Sequence, residues 1–173
     1  MNTGVQRSSA TPAAARTATT MAVGPEPGNV FGQGKNLPAI AMAHGIRYVA
    51  TATVAELRDL EAKVTRAMTF RGARYIHIFV PCPLGWGHAS HDTIRIARLA
   101  KETGLYPVYE AEDGEIVSVS KIRRPLPVEE YLRPQKRFAH LFSPQSRTQV
   151  IAQVQAMADH NIRKYKLLEE SGR

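Results

Sequence analysis

The chain has 173 residues, of which 43% are hydrophobic and 22% are charged, so we expect one globular domain with a single core. No apolar run approaches the ~20 residues that a membrane span requires, so no segment is expected to span a membrane. The single cysteine excludes an internal disulfide framework and a metal site built from several thiolates of this chain, and it is compatible with the cytoplasm. The formal charge of +8 favours an anionic partner, which could be nucleic acid, a membrane surface or an acidic protein.

The first 36 residues differ in composition from the rest. They are rich in Ala, Thr, Ser, Gly and Pro, and Glu26 is the only acidic residue before Glu56. Taken alone, this composition predicts a loop region, or an organellar transit peptide that is rich in Arg and Ser and poor in acids. We therefore divide the chain into a Gly/Ser/Thr-rich segment over 1–36, an α/β region over 37–142 and a C-terminal helix over 143–173.

Apolar periodicity predicts alternating strands and helices from residue 47 onward. The predicted elements are a strand over 47–52, a helix that Thr53 and Glu56 cap and Gly72 ends, a strand over 74–80, a helix from Asp92 to Gly104, and a strand over 105–109. This order implies parallel strands, and ligands collect beyond the carboxyl ends of such strands. The residues after Ala52 and the segment 81–86 are therefore expected near a site.

The remaining third of the chain carries a turn signal and two helical patterns. Asp113-Gly114 between alternating flanks predicts a β-hairpin. The residue pattern over 128–142 predicts a short, interrupted helix. Ser143-Pro144 is predicted to begin the last and longest helix, whose single apolar stripe should dock on another surface.

Cys82 lies between two prolines at the predicted carboxyl end of a strand. Three interpretations of this residue are open: a buried cysteine that acts as a small hydrophobe, a metal or cluster ligand whose fellow cysteines lie on another segment, or a nucleophile with a positioned base. The buried cysteine is the most common of the three, and none of His77, His88 and His91 has a specific spacing to Cys82 that would indicate a base.

Other candidate features are individually weak. His88 and His91 could bind a metal, although a solvated loop is the more common explanation of such a pair. The basic segments 121–124 and 133–137 could contact nucleic acid, water or another subunit. In the first stretch, Asn2, Gly4 and Gln6 would let the backbone approach a polar ligand.

Several segments together resemble one family. The stretch MNTGVQRSSATPAAARTATT resembles the pattern MNTG-x-QRS-x-ATP-x-GA-x-T-T-T of 2-oxoacid:ferredoxin oxidoreductase β subunits. The segments AHGIRYVATAT, YIHIFVPCPLGW, ARLAKETGLYPVYEAEDGE and RPLPVEEYLRPQKRFAHL follow in the same order as in that family, and the pyruvate synthase type matches best. Because of this resemblance, we do not interpret the first stretch as a transit peptide. The chain departs from the family pattern at residue 14, where Ala14 stands in place of the usual glycine.

The resemblance implies a partial thiamine-diphosphate-binding fold of the α/β class, three-layered with a mostly parallel sheet, plus a hairpin and a long C-terminal helix. It implies oxidative decarboxylation of pyruvate to acetyl-CoA and CO2, with thiamine diphosphate and Mg2+ as cofactors and a 4Fe–4S cluster that passes electrons to ferredoxin. The cofactor would supply the carbanion chemistry, and the protein would supply orientation and electrostatics.

The resemblance also assigns site residues. Asn2 corresponds to the asparagine beside the reactive end of the thiamine and the substrate carbonyl, and Thr3, Gly4 and Gln6 accompany it as cofactor-binding residues. Cys82 corresponds to the fourth ligand of the proximal cluster. The implied partners are the α, γ and δ-type subunits, ferredoxin and coenzyme A, in the cytoplasm and without nucleic acid.

The family's complete β subunit carries, before MNTG, further cysteines that complete the cluster and a GDG motif that holds Mg2+ and diphosphate. This chain has neither a second cysteine nor that motif, so we expect a truncated β subunit that needs a missing N-terminal β segment and is inactive alone. Two alternatives stay open: the same family acting on 2-oxoglutarate, a branched or aromatic 2-oxoacid or oxalate, and a basic nucleic-acid-binding module.

Overall fold

A computed structural model of the chain describes residues 12–16 and 35–169. Within these ranges the chain alternates helices with four strands. The helices are α1 (Leu37–Ala43), α2 (Leu57–Ala67), α3 (Pro83–Trp86), α4 (Thr93–Glu102), α5 (Val128–Leu132) and α6 (Thr148–Tyr165), and the strands are β1 (Tyr48–Thr53), β2 (Arg74–Phe79), β3 (Tyr109–Glu112) and β4 (Glu115–Val119). Short 3-10 helices cover Ser90–Asp92 and Lys136–Leu141.

The four strands form one mixed sheet in the order β2-β1-β3-β4. β1 and β2 run parallel, with Tyr48 opposite Arg74 and Thr53 opposite Phe79. β3 is antiparallel to β1, and β4 is antiparallel to β3. The α/β class, the hairpin and the long C-terminal helix are confirmed, but the third strand is antiparallel to β1 and not parallel as the order of elements predicted.

Side-chain alternation along β1 builds three layers. Every residue of β1 is buried, and successive side chains point to opposite faces of the sheet. Val49 packs with Ala41 of α1 and Tyr165 at the end of α6, whereas Tyr48 and Ala50 pack with α2 on the other face. The sheet is therefore covered by helices on both sides along its central strand.

The strand predicted over 105–109 begins only at Tyr109. Pro107 has no backbone N–H and cannot donate to a strand ladder. The side chain of Thr51 on β1 replaces the missing ladder bonds, because its hydroxyl donates to Pro107 O at 2.8 Å and accepts from Tyr109 N–H at 2.9 Å. Tyr106 instead turns its hydroxyl to the carbonyl of His77, 2.6 Å away.

Two helix starts were predicted too early. Thr53 belongs to β1, so its backbone is extended, and α2 begins at Leu57 with Glu56 as an N-cap that makes no side-chain capping bond. Glu56 pairs with Lys101 of α4 instead of closing a capping box. Likewise, the last helix begins at Thr148 and not at Ser143-Pro144, since the first hydrogen bond of α6 runs from Ile151 N–H to Arg147 O.

A helical cluster lies beyond the carboxyl end of β2 and forms the larger part of the core. It joins side chains of α3, α4, α5, α6 and the second 3-10 helix, including Trp86, Ile96, Leu132, Phe138 and Val154. The apolar stripe of α6 docks here as predicted, and Gln155 accepts a hydrogen bond from Val128 N–H at 3.0 Å. Within the described ranges, no helix is both long and apolar enough to cross a membrane.

Candidate functional site

The carboxyl ends of the two parallel strands meet, as the α/β pattern predicted. Thr53 pairs with Phe79 as the last residue of each strand, and Val54 N–H donates to Phe79 O at 3.3 Å. Directly beyond Phe79 the chain enters Val80-Pro81-Cys82, so the thiol is held where ligands gather in open parallel sheets. β2 lies at the edge of the sheet, so the strand before Cys82 is paired with a neighbouring strand along one edge only.

Cys82 begins a one-turn helix and is partly buried against the hydrophobic core. It is the N-cap residue of α3, with Pro83 at the first helical position. The sulfur accepts a hydrogen bond from Gly85 N–H at 3.4 Å, and the carbonyl of Cys82 accepts from Trp86 N–H at 2.9 Å. The thiol is partly exposed, and the neighbouring Leu84 side chain is 97% exposed. The sulfur is therefore packed against the hydrophobic core and is also partly accessible from outside.

Arg137 lies against the same turn and is buried. Only 4% of its surface is exposed, and its guanidinium carbon lies 3.7 Å from the centre of the Trp86 ring and 4.9 Å from that of Phe138. Such stacking on an aromatic face favours a cation. Sequence reasoning placed Arg137 in the basic segment 133–137 as a possible surface contact, and that expectation is wrong for this residue because its side chain fills the interior beside Trp86.

The guanidinium has only neutral hydrogen-bond acceptors among the described residues. Its Nε donates to Gln135 Oε1 at 2.8 Å and its Nη2 donates to the Tyr131 hydroxyl at 2.9 Å. Its Nη1 is buried and meets no acceptor in the described part of the chain. Burial lowers the pKa of Arg137, and the contact with Tyr131 only partly offsets this. Within residues 12–16 and 35–169, this buried cation against the Cys82 turn therefore has no carboxylate partner.

The described end of the MNTG stretch reaches this place. Arg16 N–H donates to Arg137 O at 2.7 Å, and Ala14 and Ala15 are buried in the helical cluster. Ala14 has φ +64°, a left-handed conformation that costs a non-glycine residue about 1–2 kcal/mol. The glycine that is usual at this position in the resembling family thus has a backbone reason. Sequence reasoning noted the replacement but assigned no conformation to it.

The other predicted site residues are distributed as follows. Asn2, Thr3, Gly4 and Gln6 lie outside the described residues. The His91 side chain is 84% exposed, 3.9 Å from Asp92, which fits a solvated loop.

His88 contacts Ala89 O through Nδ1 at 2.9 Å and meets the edge of the Trp86 ring. Across residues 12–16 and 35–169, no three His, Cys, Asp or Glu side chains are grouped to hold a metal ion.

The chemistry of the donor set decides what this site could hold. A 4Fe–4S cluster takes four cysteine thiolates, and Cys82 is the one cysteine of the sequence. A partly exposed sulfur beside a buried cation fits the end of an anionic cluster, but only as one ligand of four. The three other ligands would have to come from another polypeptide segment.

The chain is similar to curated subunits of one kind of oxidoreductase. It is 51% identical to the pyruvate synthase subunit PorB of Methanosarcina barkeri over 167 residues, which is 96% of this chain and 56% of that protein. It is 39% identical to PorB of Thermotoga maritima over 171 residues, 98% of this chain and 52% of that protein. It is also 40% identical to the ketoisovalerate oxidoreductase subunit VorB of Pyrococcus abyssi over 148 residues, 82% of this chain and 46% of that protein.

No family model matches the chain. The relatives nonetheless align with nearly all of it, in agreement with the five motif segments that carry the resemblance. The chain spans about half the length of the curated relatives that it matches, and it belongs to the family of these pyruvate synthase PorB subunits.

Proposed function

We propose that the chain is part of the β subunit of a 2-oxoacid:ferredoxin oxidoreductase that converts pyruvate and coenzyme A to acetyl-CoA and CO2. One observation supports the proposal beyond sequence similarity. The single thiol of this PorB-like chain lies just after the carboxyl end of β2, and the buried guanidinium of Arg137, which has no carboxylate partner among the described residues, lies against the same turn. That environment suits a thiolate that ligates an anionic iron–sulfur cluster. In this role Cys82 is the ligand and the electrons leave through the cluster to ferredoxin.

The thiamine end of the site is assigned to the first residues of the chain. Thiamine diphosphate with Mg2+ supplies the carbanion chemistry when it is bound. We propose that the Asn2 amide donates a hydrogen bond to the substrate oxygen as charge develops there, and that Thr3, Gly4 and Gln6 contact the cofactor. The contact of residue 16 with Arg137 supports this assignment, because it brings the described end of the same stretch to the turn that holds Cys82.

The proposal requires other polypeptides. Four thiolates hold a cubane cluster and this sequence has one, so the α, γ and δ-type subunits and the remaining β segment must supply the rest. The purified 173-residue chain is therefore inactive by itself. Isothermal calorimetry of this chain with thiamine diphosphate and Mg2+ should show no binding heat, and measurable binding would contradict this part of the proposal.

The direct test is cluster assembly in the complete oxidoreductase. Co-expression of the chain with the other subunits should yield a complex that oxidises pyruvate in a coenzyme A-dependent way. Replacing the sulfur by Cys82→Ser should remove one cluster, which is roughly four iron atoms per copy, as read by iron analysis and by the electron paramagnetic resonance of the reduced complex. The control is Val117→Ser, a half-exposed position on β4, and unchanged iron in Cys82→Ser would overturn the assignment.

The likeness to a ketoisovalerate oxidoreductase subunit favours a second candidate substrate. The relative is 40% identical, which falls between the PorB identities of 51% and 39%. Comparing kcat/KM for pyruvate, 2-oxoisovalerate and 2-oxoglutarate in the assembled complex separates these candidates. A preference for the branched 2-oxoacid would replace pyruvate and leave the reaction class unchanged.

A nucleic-acid-binding module is less well supported by the surface. The basic segment 121–124 lines a groove together with Arg98 and Lys101, but Glu56, Glu102 and Glu169 line the same groove. Mixed charge of this kind weakens attraction for a phosphate backbone. A steep salt-dependent affinity for DNA in a mobility-shift assay would favour the module over the oxidoreductase subunit.

A further inference from the structure

Arg137 is a buried cation whose counter-charge is not provided by the described residues. The ion pairs within those ranges join other cations to carboxylates, as in the exposed pair of Arg133 with Glu129. Arg137 donates only to the neutral Gln135 and Tyr131 side chains, and Nη1 is left over. Because an uncompensated buried charge is strongly destabilising, an anion is expected next to Nη1 in the working protein.

The packing around Arg137 ties it to the Cys82 turn. The guanidinium is stacked on Trp86, and Trp86 N–H closes the turn on the carbonyl of Cys82. Gly87, at the end of this turn, accepts from Lys136 N–H at 3.1 Å, so the Cys82 turn and the Arg137 segment are tied by backbone as well as by side chains.

We propose that Arg137 is the counter-charge of the anionic cluster that Cys82 ligates, and that it raises the reduction potential of that cluster. This inference rests on the proposed function. Reduction adds one electron to a cluster that is already anionic, so a fixed cation stabilises the reduced form more than the oxidised form. Burial of Arg137 strengthens the effect because water screens a buried charge less than an exposed one.

The inference differs from a purely structural role for Arg137. A structural arginine would hold Trp86, Gln135 and Tyr131 in place and would affect folding alone. A counter-charge also changes the energy of the electron on the cluster, and any variant that keeps the positive charge should preserve that energy. The reduction potential therefore separates the two roles.

The test is a redox titration of the assembled oxidoreductase, followed by the electron paramagnetic resonance of its clusters. Arg137→Gln should lower the equilibrium constant for reduction of one cluster at least tenfold, which is about 59 mV for a one-electron couple. Arg137→Lys keeps the charge and should stay closer to the wild-type potential than Arg137→Gln does. Arg133→Gln, an exposed arginine of the same basic segment, is the control and should leave every potential unchanged.

A second variant covers the case in which Arg137→Gln prevents assembly. Gln135→Glu keeps the guanidinium and places a carboxylate at its Nε, where the amide oxygen now lies 2.8 Å away. This pairing should lower the same potential. If Cys82→Ser removes the cluster while Arg137→Gln or Gln135→Glu leaves the potential unchanged, the counter-charge is refuted and the proposed function stands. If Cys82→Ser leaves all clusters intact, the ligand assignment itself fails.

Discussion

Replacing Gly87 by alanine tests how tightly the Cys82 turn is packed against the segment that carries Arg137. Gly87 ends α3 with φ +69°, and a Cβ added there would lie 2.6 Å from Lys136 Cβ. Lys136 Cβ is fixed to its backbone, so it cannot rotate away as the end of a long side chain could. The left-handed backbone costs alanine about 1–2 kcal/mol, and the overlap adds about 1–3 kcal/mol.

The matched control is Gly72→Ala. Gly72 also has a positive φ, +90°, but no atom lies within 4 Å of its added Cβ. Gly72→Ala therefore carries the backbone cost alone, and Gly87→Ala should lower the free energy of unfolding by about 1–3 kcal/mol more. Urea unfolding of the chain, followed by circular dichroism, measures both values.

A double variant isolates the clash itself. Lys136→Gly removes the Cβ, Cγ and Cδ atoms that the new methyl group would meet. In the Lys136→Gly background, Gly87→Ala should cost no more than Gly72→Ala does in the wild type. If Gly87→Ala and Gly72→Ala cost the same in the wild-type chain, the close approach of the two segments is refuted.

Two further predictions concern charge. Asp59→Asn should lower the free energy of unfolding in urea by about 1.5–3 kcal/mol, because Lys63 is 3% exposed and its ammonium lies 2.7 Å from Asp59. The control is Glu129→Gln, which breaks an exposed pair at the same spacing and should lower the free energy of unfolding by less than about 0.5 kcal/mol. Equal costs for the two variants would contradict the role of burial. Burial lowers the pKa of His77, so the folded state favours the neutral ring. The free energy of unfolding is therefore not reduced by His77 above about pH 6.5, and it falls as the pH drops below that value and the unfolded chain binds a proton more readily than the folded one. His77→Gln should therefore reduce the loss of stability between pH 7 and 5, and an unchanged pH profile would refute this.

Local sequence patterns were sufficient to predict an element where a residue type has one conformational consequence. Asp113-Gly114 predicted the hairpin because both residues tolerate positive φ, and φ is +48° and +88° there. The helix over 93–102 and its end at Gly104 followed from periodicity and a left-handed glycine. The partial exposure of Cys82 could not be predicted in this way, since Pro81 and Pro83 fix the direction of the chain but not the side chains that cover the sulfur.

The antiparallel pairing of β3 with β1 was decided by long-range contacts. Pro107 interrupts the donors of the predicted strand, and the Thr51 hydroxyl, 56 positions earlier, takes over two of the bonds. No local window contains both residues. The same limit explains why α2 begins late: Thr53 is paired with Phe79 and is therefore unavailable as a helix cap.

The amino-acid sequence alone determined the family resemblance, the α/β class and the position of one thiol at a strand end, because these depend on residue identity and on spacing along the chain. Only the tertiary structure showed that Arg137, which reads as one of several surface cations, is buried on Trp86 beside that thiol. The physical reason is that the burial of a side chain depends on the residues packed around it, which need not be close to it in the sequence. Cys82 and Arg137 lie 55 positions apart in the sequence, and only folding brings them together.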